Sequence, residues 1–220
     1  IFGADTASTD IIAFNTSNQL IVNIAGTARL ISNPVFRDPT AWAHVLVVFD
    51  AGNATSALRL RVYWNATEIT SWATDARSGI TTSSCKINTA VVHRIGRNPA
   101  SAANYFDGYM CETGFVDGLV LTPSNMTVIN PRTKTIDPIK YRGVWGANGF
   151  YLNYKDASNT TSTTLGKDAS GNANNFTPNN FSITAGPGND VLRDTPYQNI
   201  FTTSPKYGNF PTANPFMPGN

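Results

Sequence analysis

Short runs of β-branched and aromatic residues, broken every few positions by Asn, Ser, Thr and Gly, set the rhythm of this chain. Ile11-Ile12-Ala13-Phe14 and Gln19-Leu20-Ile21-Val22-Asn23-Ile24 flank the polar cluster Asn15-Thr16-Ser17-Asn18. Two such runs around a polar turn predict a β-hairpin. From Ala57 to Trp64 the residues alternate, which places Leu58, Leu60, Val62 and Trp64 on one, core-facing side of a strand and Arg59, Arg61 and Tyr63 on a wet side. His44 to Phe49 is apolar without interruption, the pattern of a central strand covered on both faces. Asn65-Ala66 stands where a two-residue hairpin turn favours Asn-Gly, so either the loop is longer or the backbone carries a strain of about 1 kcal/mol. Further strands are predicted at 90–96, 109–115 and 149–154, with a short helix start at Ser124 after the run Leu119 to Pro123. No amphipathic helix of useful length is present, and the pattern predicts an all-β chain built as an antiparallel β-sandwich.

The texture changes after Pro138. Residues 156–180 are rich in Asn, Ser, Thr and Gly with few apolar anchors, and 194–220 carries Pro196, Pro205, Pro211, Pro215 and Pro218 among aromatics and Asn. Proline removes ladder donors and favours extended backbone. The chain therefore divides into a sandwich over 1–155, a polar, loop-rich extension over 156–198 that completes or covers it, and an extended Pro/Asn-rich C-terminal arm over 199–220. Phe201, Tyr207, Phe210 and Phe216 are that arm's candidate contacts with neighbouring subunits.

With 220 residues the chain is long enough for one sandwich with a sizeable core. Charged residues make up 14% of it, against about 25% in an average domain, and amides and hydroxyls take their place. That neutral, polar surface suits an extracellular or environmental particle. The net charge is +2 with scattered Lys and Arg, which gives no basic stripe for a phosphate backbone, so nucleic acid is not an expected partner. No apolar run reaches the roughly 20 residues that span a bilayer, and membrane insertion is not expected. Ile1 to Asp5 have no signal-peptide layout, and the chain reads as a piece of something longer. Cys85 and Cys111, the only cysteines, lie in or beside apolar runs and read as free thiols ahead of a bridge.

A resemblance adds to this reading. Trp42 to Asp50 and Phe106 to Ser124 resemble strands of a concanavalin-A-like, laminin-G-like jelly roll, and Asn15 to Leu20, Phe36 to His44, Arg61 to Thr67 and Tyr105 to Tyr109 are similar to phage and prophage virion proteins that carry such a module. The downstream segments Tyr141 to Leu152, Leu165 to Asn172, Asn179 to Ser182 and Asp194 to Pro196 are the more specific part of this resemblance to virion proteins of tail fibres or other appendages. The chain departs from that family in opening one or two strands late and in having Ala66 where similar chains have Asn-Gly. The resemblance implies a virion location on the exterior or tail, other virion proteins as partners, a homo-oligomer, and attachment to host-surface carbohydrate.

The candidate chemistry fits a binding module better than an enzyme. A glycosidase needs paired carboxylates about 5 to 10 Å apart, and the only glutamates, Glu68 and Glu112, sit in different predicted strands. Asp38, Asp50, Asp107 and Asp117 lie at strand ends beside Pro or Gly, where Asp usually caps turns. His44 and His93 fall inside apolar runs, where a satisfied core histidine is the ordinary reading, and no nucleophile turn supports a Ser-His-Asp triad. No catalytic residue is assigned. Calcium would need convergent oxygens, no regular Asp-x-Asp spacing supplies them, and no metal or cofactor is assigned. Asn-x-Thr triplets at Asn65 and Asn125 are expected by chance in so Asn- and Thr-rich a chain. Glycan recognition asks for an aromatic face with amides and carboxylates beside it. Asn98, Asn104, Tyr105 and Asp107 supply those types in one short loop, unless Tyr105 and Phe106 are core and Asp107-Gly108 is only a turn. The reading is a non-enzymatic tail-fibre or appendage module for glycan attachment. The alternative is a capsid or tail decoration protein whose arm acts as a clamp, with a glycoside hydrolase third.

Overall fold

The structure is a computed structural model and describes residues 1–7, 9–38, 41–101, 104–184 and 190. Its strands are β1 (Phe2–Ala4), β2 (Asp10–Phe14), β3 (Gln19–Ile24), β4 (Thr27–Val35), β5 (Val45–Phe49), β6 (Leu60–Trp64), β7 (Thr67–Glu68), β8 (Trp72–Asp75), β9 (His93–Ile95), β10 (Thr113–Phe115), β11 (Thr127–Ile129), β12 (Ile136–Pro138) and β13 (Phe150–Leu152). The described residues form no α-helix, only short 3₁₀ turns at Ser56–Leu58, Arg77–Gly79 and Pro123–Asn125. The protein is all-β with antiparallel pairing. It divides into two compact units, one of Ile1–Met110 with Phe115–Gly149 and one of Cys111–Gly114 with Phe150–Asn220.

In the first unit a six-stranded sheet runs β8-β4-β3-β2-β1-β9 and a three-stranded sheet runs β5-β6-β7. The predicted hairpin at 11–24 is β2–β3, with Phe14 opposite Leu20. Alternation then buries Leu20, Val22 and Ile24 of β3. They join Leu30 of β4 and Leu60 and Val62 of β6 in one apolar cluster, flanked by Val45, Val47 and Phe49 of β5. Each such side chain contributes about 1.5–3 kcal/mol by leaving water. Phe14, Phe36 and Trp64 close one end, the last two with ring centroids 4.0 Å apart.

Several sequence expectations are corrected. Among the described residues β5 is an edge strand, pairing only with β6. It is nonetheless covered on both faces, because Leu46 and Val48 pack with Tyr63 and Met126 in a second cluster while the odd-numbered residues face the main one. Tyr63 is therefore buried, and the side of β6 expected to be wet is partly dry. Leu58 lies in a 3₁₀ turn and is exposed, so the strand begins at Leu60. Asn65-Ala66 is a two-residue turn with φ of 47° and 62°, the strained of the two options. The predicted strands at 90–96 and 109–115 shorten to His93–Ile95 and Thr113–Phe115. The run Leu119 to Leu121 lies outside any strand, and the helix start at Ser124 is a 3₁₀ turn.

Asp10 knits the first unit together. Fully buried at the start of β2, its carboxylate accepts the Ala25 N–H at 2.8 Å, the Ile87 N–H at 2.9 Å, the Lys86 N–H and the Cys85 thiol at 3.1 Å. A buried carboxylate is tolerable because donors replace its water. Asp168 does the same in the second unit. It accepts from the N–H groups of Tyr151 and Ser170 at 2.8 Å each, from Asn174 N–H at 2.9 Å and from the Ser170 hydroxyl at 2.8 Å. The second unit also holds the pairing of β13 with β10 and the contact of Phe150 with Phe176 at 4.7 Å. Gly166 is obligatory there, since a Cβ would lie 1.8 Å from the Phe176 carbonyl oxygen.

Candidate functional site

The loop predicted to bind glycan leaves β9 and returns as a short antiparallel bridge between Arg97 and Tyr105. Backbone hydrogen bonds hold it at both levels. Asn98 N–H donates to Asn104 O at 3.0 Å, and Phe106 N–H donates to Gly96 O at 2.8 Å. The structure thus brings Asn98, Asn104 and Tyr105 together on one braced loop. Asp107 follows two residues later and is exposed.

Within this loop the side chains differ in availability. Tyr105 is 59% exposed, so the reading in which it belongs to the core does not apply. The Arg97 guanidinium carbon lies 5.7 Å from the Tyr105 ring centroid, and Arg97 Nε donates to Ser101 O at 3.1 Å. A cation over one ring face fixes the ring and leaves the remainder for a ligand. Asn104 is exposed, whereas Asn98 is half-buried and spends its Oδ1 on the Ala100 N–H at 2.9 Å. Phe106 is half-buried and folds over Gly108, where a Cβ would stand 2.9 Å from its ring. Tyr109, four residues after Tyr105, is 47% exposed. The loop thus offers one exposed aromatic ring, with amide and carboxylate residues adjacent in sequence, the residue types that sugar C–H faces and hydroxyls require.

Other chemistry-bearing residues are engaged elsewhere. Glu68 is in β7 of the first unit, and Glu112 belongs to the second with a φ of 54°. His93 Nδ1 lies 2.8 Å from Val91 O. Burial holds the His44 imidazole below the usual histidine pKa, and its Nδ1 is buried without a hydrogen-bond partner. Cys85 and Cys111 are free thiols. Burial raises both, Cys111 to about 11 and Cys85 further, with Asp10 adding to the effect at Cys85. Among the described residues no group of three or more His, Cys, Asp or Glu is placed to hold a metal, and no helix is long and apolar enough to cross a membrane. A depression of about 320 Å³ in the second unit is lined by Thr163, Lys167, Asp168, Gly171, Ala173 and Asn175. Four donors already occupy the Asp168 carboxylate, so its role is structural.

Sequence reasoning missed Asp10 and Asp168 as the two buried anchors. It also did not single out the exposed apolar residues Leu119, Val120, Val128, Ile129 and Val144, the last 77% exposed. The arm residues Phe201, Tyr207, Phe210 and Phe216 lie outside the described residues. The chain matches no protein-family model, no curated protein and no solved structure with which it was compared.

Proposed function

We propose that this chain is a non-enzymatic virion structural module that attaches to carbohydrate on a host surface, with the two sheets of its first unit stacked as a laminin-G-like sandwich. The observation that carries the reading is Tyr105, more than half exposed on a loop braced by the Arg97 bridge that also carries Asn98, Asn104 and, two residues on, Asp107. A large aromatic ring held in water with Arg97 over one face has a setting that suits sugar stacking. A single shallow platform binds weakly, and several copies on one particle multiply that affinity through effective concentration. The virion assignment rests on the sequence resemblance and on the neutral, amide-rich surface. A glycan array probed with the 220-residue chain is expected to show ligands lost on Tyr105→Ala, and excess chain is expected to block infection. Absence of both binding and blocking would refute the adhesive reading.

A decoration protein is the second reading, favoured by the exposed Leu119, Val120, Val128, Ile129 and Val144, since apolar groups left in water often mark protein contacts. Here the sandwich is a spacer and the segment 199–220 a clamp. Deleting 199–220 separates the two: lost assembly with intact sugar binding supports the clamp, and unaffected assembly rejects it.

A further inference from the structure

The open edge of β5 carries an inference that goes beyond glycan attachment and does not depend on it. β5 pairs with β6 in the register Val45 with Trp64 through Phe49 with Leu60. The ladder extends one residue past each end, because Asn65 N–H donates to His44 O and Asp50 N–H donates to Arg59 O. In an antiparallel ladder, residues exchanging hydrogen bonds alternate with residues whose N–H and C=O point the other way. The even-numbered residues 44, 46, 48 and 50 therefore face β6, and the backbone groups of Val45, Val47 and Phe49 point outward with no backbone partner among the described residues. This edge also lacks the usual protections, having no Pro, charge or bulge within its run Val-Leu-Val-Val-Phe.

The geometry points to a second copy of this chain as the occupant: we propose that β5 pairs antiparallel with β5 of another protomer about a two-fold axis at Val47, making one continuous sheet. In that register Val45 meets the partner's Phe49 and Val47 meets the partner's Val47, so each outward N–H finds a carbonyl. The side chains also match on both faces. Leu46 would stand opposite the partner's Val48, extending the cluster that already holds Tyr63 and Met126. His44 would stand opposite the partner's Asp50, in the closer, non-hydrogen-bonded type of pair. Both members of that last pair are under-used in the single protomer. His44 Nδ1 is buried without a partner, and the Asp50 carboxylate receives the Asn53 amide at 3.0 Å on Oδ2 alone. A symmetric contact repeats this pairing at each end, which an unrelated strand would not do.

The test combines sedimentation of the full 220-residue chain with residue-resolved amide exchange. Between about 5 μM and 1 mM the chain is expected to pass from monomer to dimer by mass action. Exchange at Val45, Val47 and Phe49 should slow at least about tenfold in the dimer, while Leu46 and Val48 stay slow throughout. Val47→Pro removes an outward N–H and leaves the β6 ladder whole, so it should keep the monomer's circular dichroism and abolish the dimer. Asp50→Lys should weaken association about tenfold or more by facing His44 with a cation, and adding His44→Glu should restore it. A chain that stays monomeric through this range would overturn the proposal and leave the edge to another partner. So would a dimer indifferent to both Val47→Pro and Asp50→Lys, which would place the contact elsewhere.

Discussion

At the scale of single residues, the buried carboxylates matter most. Asp10→Ala strands the N–H groups of Ala25, Lys86 and Ile87, and hydrogen bonds to a charged acceptor are worth about 1.5–3 kcal/mol each without being additive. Urea unfolding is expected to show a loss of about 3 kcal/mol or more, and a change under about 0.5 kcal/mol would contradict the role assigned to this residue. The thiols give a pH-dependent check. Because the thiolate is the reactive form, alkylation of Cys111 in the folded protein should be slow at pH 8 and rise about tenfold per pH unit toward its value of about 11. Cys85 should react only on unfolding. The linkage has a definite sign: a thiol raised in the fold lends stability below its unfolded pKa, and that stability is lost as pH rises from there toward about 11. Uniform fast labelling of both thiols at pH 8 would refute their burial. None of this was legible in one dimension. Asp10 looks like a surface residue at the start of a strand, and its partners are 15, 75, 76 and 77 positions away. Asp168, in a Gly/Ser/Asn tract, reads as an ordinary turn cap.

At the scale of elements, local pattern was readable wherever one face met the core. The β2–β3 hairpin followed from two β-branched runs around the polar turn Asn15 to Asn18, and the Leu60/Val62 face from alternation, because period-two burial leaves its mark on sequence. β4 was missed, since Asn33 and Pro34 break its apolar pattern and Ala25-Gly26 is a weak turn signal despite both residues having positive φ. The position of β5 in its sheet was also hidden. Continuous apolar character reports covering on two faces and says nothing about hydrogen-bonded neighbours. Two substitutions test the elements. Ala66→Gly relieves a left-handed φ of 62° and should stabilise by about 0.5–1 kcal/mol, read as a higher urea midpoint; destabilisation would refute the two-residue turn. Leu60→Ala, fully buried, should cost about 2–5 kcal/mol, whereas Leu119→Ser, half exposed, should stay within about 0.5 kcal/mol. Equal effects at the two sites would put the core in the wrong place.

At the scale of the whole molecule, a braced loop on an all-β scaffold presents an aromatic plate to solvent. The sequence placed aromatic, amide and carboxylate residues in this loop, but their availability came only with the structure: Tyr105 exposed, Asn98 partly spent on its own turn, Phe106 folded back over Gly108. Exposure is a property of the packed chain, and the hydrophobicity of Tyr105 and Phe106 alone could not separate them. The proposed attachment role makes Tyr105 the point at which the account is most exposed to test. The most direct measurement is calorimetric titration of an array-selected glycan into the chain and its Tyr105→Ala and Tyr105→Phe variants. Stacking predicts that Ala weakens binding about three- to tenfold, the equivalent of an aromatic contact of up to about 1.5 kcal/mol, while Phe keeps most of it. Unchanged affinity in Tyr105→Ala, or no glycan bound by the unmodified chain, would contradict it.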